Sequence, residues 1–344
     1  MQETITHIAK SLETLYPPEE IHSLTQLILE KVCNLSRNQQ ILCKDKQLSY
    51  TEKQSIQRIM QRLQNSEPIQ YIFGETEFYG LTFEVTPAVL IPRPETEEMT
   101  HKIIQDVGAN CIRPIQNSKI QKFKNSKFVP LWRGQGEVQC SMLNVQSSSQ
   151  SAIHILDIGT GSGCIAVTLA KKLPNAQVYA LDISEEAIQI ARRNALRNDV
   201  TVHFIQANIL STCKQDSFLH STNIPPTILC DPLCPLCLCA ESMFDLIISN
   251  PPYVTISEKA SMKPNVLDYE PPQALFVPDD DPIRFYRRIA EFALEKLTEH
   301  GILYLEINAL FGEEICRMLR QKGYRNIEFA RDLSGKERFI KAMI

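Results

Sequence analysis

The sequence predicts an α/β fold, a parallel sheet flanked by helices, preceded by a small helical domain. Three observations carry this. A glycine-rich turn, Asp157-Ile158-Gly159-Thr160-Gly161-Ser162-Gly163, joins the apolar strand Ile153-His154-Ile155-Leu156 to a helical run from Cys164 to Lys172. A second strand, Gln177-Val178-Tyr179-Ala180-Leu181, ends in Asp182. A third, Phe244 to Ser249, runs straight into Asn250-Pro251-Pro252-Tyr253. Short apolar runs alternating with helical patterns read as βαβ units.

The elements follow in chain order. Residues 1–75 are helical in pattern: Ile21, Leu24, Ile28, Val32 and Leu35 share one face, and Ile56, Ile59, Met60 and Leu63 form a second stripe. Thr51 with Gln54 reads as a capping box for that second helix. These stripes are the core of a small bundle, whose polar side is left for a partner. Residues 76–107 read as a β-hairpin and a helix start, with strands Thr82–Val85 and Val89–Ile91 turning at Pro87. Residues 108–151 are polar and aperiodic and read as a flexible insertion. The catalytic α/β domain follows over 152–344, with strands expected near 153–158, 177–182, 201–205, 244–249 and 301–307 and a last pair near 326–331 and 337–343. Ser184 is a helix N-cap, with Glu185 and Glu186 in the first turn. Gly301–Ile307 reads as core rather than site, and His154 and His203 as packed side chains rather than ligands.

Residues 211–241 form a second insertion with Cys230, Cys234, Cys237 and Cys239. Cys234-Pro235-Leu236-Cys237 has zinc-knuckle spacing. Four thiols crowded into one proline-stiffened loop do not wrap an ion without a distant second pair, so no metal is expected.

The chemistry lies in the turns. Glycines let a ligand approach the backbone, and a helix N-terminus presents free N–H groups. An acid at the end of the second strand can grip ribose hydroxyls. The prolines of Asn250-Pro251-Pro252-Tyr253 have no N–H and cannot continue a ladder. The Asn250 side-chain oxygen and the Pro251 carbonyl can then accept both hydrogens of a substrate NH2. A dinucleotide would use the glycine turn for its pyrophosphate, but hydride transfer has no need of Asn-Pro-Pro-Tyr. A methyl donor without phosphate, S-adenosylmethionine, suits both motifs.

At these residues the chain resembles the HemK/PrmC family of class I methyltransferases. Further blocks are similar to that family: Glu67–Gly74, Phe78–Leu81, Leu90-Ile91-Pro92-Arg93-Pro94-Glu95-Thr96-Glu97, Tyr269–Leu275, Phe285–Arg288 and Asp332–Gly335. The resemblance implies a Rossmann-like seven-stranded sheet with an N-terminal substrate-recognition domain and a linking hairpin. It implies S-adenosylmethionine-dependent methylation of the glutamine nitrogen in the Gly-Gly-Gln motif of peptide chain release factors. Asn250, Pro251 and Tyr253 would be catalytic, with Pro252 also touching substrate and Tyr253 walling the pocket. Asp157, Gly159, Thr160, Gly161, Ser162, Gly163, Asp182, Asn208, Ile209 and Asn250 would hold the cofactor. The family usually has an acid where this chain has Asn208, so altered cofactor affinity is expected. Asn-Pro-Pro-Tyr also occurs in adenine-N6 and guanine-N2 nucleic-acid methyltransferases, and that alternative stays open.

Bulk properties agree. The 344 residues are 43% hydrophobic and 22% charged, with a net charge of −4, which gives no electrostatic footprint for duplex DNA. No secretion signal or membrane span is apparent, and the eleven cysteines fit a reducing compartment. A cytoplasmic monomer is expected.

Overall fold

The computed structural model describes residues 1–43, 45–111, 152–211 and 243–344. The N-terminal helices are α1 (Gln2–Leu12), α2 (Pro18–Cys33), α3 (Arg37–Leu42), α4 (Tyr50–Gln64) and α5 (Ile69–Phe73). Ile8, Leu12, Ile28, Leu29 and Leu63 are fully buried between them. Leu35 lies beyond α2, because Asn34 takes a left-handed conformation and ends the helix, yet it still packs on the same core. The capping box of α4 is Ser49 with Glu52, not Thr51 with Gln54. Ser49 N–H donates to Glu52 Oε2 at 2.6 Å, and the carboxylate, a stronger acceptor than an amide, is held down at about 2 by that bond, by Lys46 and by the Ser49 hydroxyl.

The hairpin also differs from expectation. It pairs β1 (Glu75–Phe78) with β2 (Leu81–Glu84). The turn is Tyr79-Gly80, both at positive φ, the geometry that matches strand twist. Residues 85–91 are therefore not a second strand around Pro87. They run as a strap with a turn at Pro87-Ala88, closed by Val89 N–H donating to the Thr86 carbonyl at 3.0 Å, and bury Val85, Val89 and Ile91 against Ala187 and Ile190. Helix α6 (Pro94–Cys111) continues past the expected start of the first insertion at 108. The rest of that insertion, and the cluster Cys230, Cys234, Cys237 and Cys239, lie outside the described residues.

The catalytic domain contributes β3 (Ile153–Ile158), α7 (Cys164–Lys172), β4 (Ala176–Asp182), α8 (Glu185–Arg197), β5 (His203–Gln206), β6 (Phe244–Ser249), β7 (Val254–Thr255), α9 (Pro264–Leu267), β8 (Phe276–Val277), α10 (Arg284–Lys296), β9 (Leu297–Glu306), α11 (Gly312–Gln321), β10 (Arg325–Arg331) and β11 (Glu337–Met343). Among the described residues a seven-stranded sheet runs in the order β10-β11-β9-β6-β3-β4-β5, with β11 antiparallel to its neighbours. Alternate residues of each strand feed opposite cores. Leu156, Ile158 and Ile247 pack toward α10 and α11, while Ile155, Leu246 and Ile248 pack toward α6, α7 and the hairpin. His154, Tyr179 and His203 stack in a row across β3, β4 and β5.

The strand order reverses between β3 and β6. From β3 the chain steps outward to β4 and β5, then returns to place β6 on the other side. Their carboxyl ends part there and open a crevice, the usual ligand position in such sheets. Ile158 pairs with Ser249, so Gly159 and Asn250 emerge side by side. The Ser249 hydroxyl donates to the Ile158 carbonyl at 2.7 Å and locks the two strand ends together. Among the described residues no helix is long and apolar enough to cross a membrane.

Candidate active site

A cavity of about 260 Å³ fills the crevice. Its floor is the glycine turn after β3. Gly159 and Thr160 N–H both donate to the Leu181 carbonyl, at 2.8 and 3.0 Å, folding the turn onto β4. Gly161 N–H donates to Asp182 Oδ2 at 2.8 Å, and Ser184 N–H donates to Oδ1 at 3.0 Å. Burial pushes the Asp182 carboxyl up, and these backbone donors oppose the rise. The Ser184 hydroxyl caps α8 through Ala187 N–H.

Asp157 is fully buried beneath the turn and takes the Thr160 hydroxyl on Oδ2 at 2.7 Å. Desolvation, with Asp182 as a nearby like charge, pushes Asp157 up to about 7. Asp157 Oδ1 and Ser162 Oγ have no hydrogen-bond partner among the described residues. Gly163 serves packing rather than the cavity: a Cβ there would stand 3.0 Å from the Ala191 Cβ.

Farther out, Ile183, Ala207, Asn208, Ile209 and Leu210 form an apolar wall with one amide. Asn208 Oδ1 accepts Leu210 N–H at 2.9 Å, which fixes the loop after β5. The strap contributes Ala88, Val89, Leu90 and Pro92 as a lid. Among the described residues the charged ones on the cavity wall are Asp182 and Arg93, and one Arg93 nitrogen meets both oxygens of the buried Glu270 at 2.7 Å. With its cation committed, the cavity offers no free counter-charge for a pyrophosphate among the described residues. An acid at the second strand end, orphaned polar atoms at the turn and an apolar wall instead fit an uncharged nucleoside carrying an ammonium group.

The other end is built from three separate segments. Asn250, after β6, donates through Nδ2 to the Thr96 hydroxyl at 3.1 Å. Thr96, in the first turn of α6, donates to Glu306 Oε2 at 2.6 Å. Tyr253 OH donates to Glu306 Oε1 at 3.2 Å. Glu306 ends β9 and is 1% exposed; burial pushes its carboxyl up to about 7 against these two hydroxyl donors. Asn308 Nδ2 reaches the Tyr253 carbonyl at 3.2 Å and Glu258 Oε2 at 3.1 Å, holding the turn in place.

Of the residues expected from sequence, Gly159, Thr160, Gly161, Ser162, Asp182, Asn208, Ile209, Asn250, Pro251 and Pro252 line the cavity. Asp157 and Gly163 support the turn from behind. Tyr253 is placed off the cavity wall, packed on the core with its hydroxyl on Glu306. Sequence reasoning gave Thr96 and Arg93 no site role and read Glu306 as strand core. The signal for Glu306 was present: an acid closing the apolar run Ile302–Leu305, as Asp182 closes its own strand.

A doubly wound sheet with this order, a glycine turn after one central strand and Asn-Pro-Pro-Tyr after the next defines a class I methyltransferase domain. Residues 149–331 match the family described as "Methyltransferase domain", and residues 3–74 match "PrmC N-terminal domain". The release factor glutamine methyltransferase of Bacteroides thetaiotaomicron is 38% identical, covering 99% of this chain and 99% of that protein. The protein of the same name from Flavobacterium psychrophilum is 37% identical over 98% of this chain and 96% of its own length. That of Leptospira interrogans is 32% identical over 98% and 97%. The chain belongs to the release factor glutamine methyltransferase family.

Proposed function

We propose that this protein transfers a methyl group from S-adenosylmethionine to the side-chain amide nitrogen of the glutamine in the Gly-Gly-Gln motif of class-1 peptide chain release factors, and so modulates translation termination in the cytoplasm. The observation that carries the proposal is the Asn250 carboxamide at the mouth of the cavity. Its nitrogen is committed to Thr96, which leaves its oxygen for an incoming NH2.

When bound, the cofactor supplies a methyl group on a sulfonium with an excellent leaving group. The chain's residues do the rest. Asp182 would accept the ribose hydroxyls, and Ser162 would serve the cofactor's amino-acid end, with Asp157 holding the turn beneath it. Ile183, Ala207, Asn208 and Ile209 would flank its base. Asn250 Oδ1 and the Pro251 carbonyl would accept both hydrogens of the target amide. An amide nitrogen is a poor nucleophile, because its lone pair is delocalised into the carbonyl. Holding both N–H groups out of the amide plane favours a pyramidal nitrogen with a usable lone pair. Rate enhancement would then come from alignment, with the two acceptors stabilising positive charge as it grows on nitrogen.

Tritiated methyl transfer from S-adenosylmethionine to a purified release factor is the test, run beside its Gln-to-Ala variant and a panel of RNA and DNA. Label on the parent factor alone is the expected result. Label on nucleic acid instead would replace this reading with a base methyltransferase.

A further inference from the structure

We propose that Glu306, acting through Thr96, fixes which end of the Asn250 carboxamide faces the acceptor nitrogen, making Glu306 and Thr96 positioning residues of the reaction. The inference rests on the methyl-transfer reading above.

The argument is a count of hydrogens. A carboxamide has an accepting end and a donating end of nearly equal size, and rotation exchanges them. Catalysis by Asn250 needs the oxygen toward the cavity. The reverse orientation would set an NH2 against the NH2 of the substrate. Thr96 has one hydroxyl hydrogen. Glu306, when ionised, only accepts, so that hydrogen goes to Oε2, 2.6 Å away. The Thr96 oxygen then offers only lone pairs to Asn250, and the amide nitrogen is the end that complements them, at 3.1 Å. Tyr253, in the same turn as Asn250, gives its hydrogen to the other carboxylate oxygen. Both oxygens are thus occupied by hydroxyl donors, and the polarity of the chain from Glu306 to Asn250 is set.

A protonated Glu306 no longer enforces this. Its own hydrogen can go to Thr96, the Thr96 hydrogen is released toward Asn250, and the amide turns its oxygen inward. The network is therefore locked in the catalytic polarity only when Glu306 is charged, whereas a neutral carboxyl leaves both polarities open. The groups around Glu306 place this change near neutrality. Burial is the largest influence and raises the carboxyl to about 7. Glu95 on α6 raises it further, and Arg338 on β11 lowers it. Arg338 is itself paired with Asp332 at 3.1 Å. From α10, the Tyr286 hydroxyl donates to the Glu306 backbone carbonyl rather than to the carboxylate. Cys164 on α7 is pushed up to about 12 and stays a neutral thiol.

The test uses the full chain, with a release factor as acceptor, across the neutral pH range. The parent is expected to show kcat falling with a single-proton acid limb near 7 and little change in acceptor KM. Glu306→Gln, which can still accept from Thr96, is expected to lose that limb. Thr96→Val should lose roughly tenfold or more in kcat, and Thr96→Ser should recover most of it. A second readout needs no substrate. In protein made with isotope-labelled asparagine, the Asn250 side-chain NH2 resonances, assigned by their absence in Asn250→Ala, should titrate with the same midpoint in the parent and not in Glu306→Gln. An acid limb that persists in Glu306→Gln, Thr96→Val turning over like the parent, or Asn250 resonances blind to pH would each overturn the proposal. If Glu306→Gln fails to fold, the Thr96 pair and the parent titration decide. If the parent methylates no release factor, the methyl-transfer reading fails, and the resonance titration still decides the network by itself.

Discussion

The two ends of the cavity are built in opposite ways. The cofactor end is one continuous turn, Asp157 to Gly163, closed by Asp182 at the end of the next strand and held almost wholly by backbone donors. The acceptor end is side chains from three distant segments, with Thr96 and Glu306 separated by 210 residues in sequence. One end is local and fixed by backbone conformation. The other is assembled by the tertiary fold and is set by a few hydroxyl, amide and carboxylate hydrogens. A backbone site tolerates changes of side chain but not of conformation, whereas a side-chain network can lose function with its backbone intact.

The sharpest break of that comparison is Asn250→Ala. It removes the group that would meet the acceptor nitrogen, an interaction realised in the transition state. Turnover should fall by roughly two to three orders of magnitude or more, as for other pre-organised polar groups. Calorimetry should find S-adenosylmethionine affinity nearly unchanged. A variant that kept most of its turnover would remove Asn250 from the mechanism.

Next in size is the stability of the acceptor end. The folded state raises the Glu306 carboxyl to about 7, so folding favours the proton. Its stabilising contribution is full at acid pH, below the unfolded carboxylate's titration, and is lost as pH rises through about 7. Glu306→Gln cannot ionise. It should therefore melt higher than the parent above neutrality, by about 1–3 kcal/mol, with the gain vanishing in acid. Thermal melts of both proteins across pH would show it. A gain that stayed constant with pH would mean that the carboxylate is not desolvated as the structure has it. The same charge that would orient Asn250 thus costs stability, a common trade at functional sites.

The same contrast explains what could be read from the sequence. The seven strands and the glycine turn were legible because each depends on local signals: apolar runs, glycines at positive φ, a serine cap before two acids. Asn250 was legible because two prolines advertise the turn beside it. Glu306 was not, because its strand reads as core and its partner Thr96 comes from a helix start far upstream. The hairpin was shifted for a related reason. Pro87 does open a turn, closed by Val89 N–H on the Thr86 carbonyl, but the turn that pairs strands is Tyr79-Gly80, and Val85, Val89 and Ile91 are buried on α8 instead of on another strand. Alternation reports which side chains are buried and does not say whether the backbone is paired.

At the cofactor end, Asp182→Ala should weaken S-adenosylmethionine by about 1–3 kcal/mol, the cost of losing charge-assisted hydrogen bonds. Turnover at saturating cofactor should survive, unlike in Asn250→Ala. Isothermal calorimetry with a kcat–KM split separates the two. Unchanged affinity would mean that the ribose sits elsewhere. Some of the loss will come through the turn itself, since Asp182 also anchors Gly161 and Ser184 N–H.

Two glycines of one motif sharpen the distinction at the smallest scale. Gly161 and Gly163 both have positive φ, 54° and 81°, so alanine at either would be strained by about 1–2 kcal/mol. What their Cβ atoms would meet differs. At Gly161 no protein atom lies within 4 Å, and the residue lines the cavity. At Gly163 the Ala191 Cβ and Cα lie at 3.0 and 3.3 Å, backbone and methyl of α8 that cannot turn aside. Gly161→Ala should therefore lose cofactor affinity as well as stability. Gly163→Ala should lose more stability, by forcing α7 and α8 apart, while whatever folded protein remains binds cofactor nearly as the parent does. Melting temperatures and cofactor affinities of the two variants check this directly. Equal losses of affinity would show that the helix contact, and not only the open face of the turn, shapes the cofactor end.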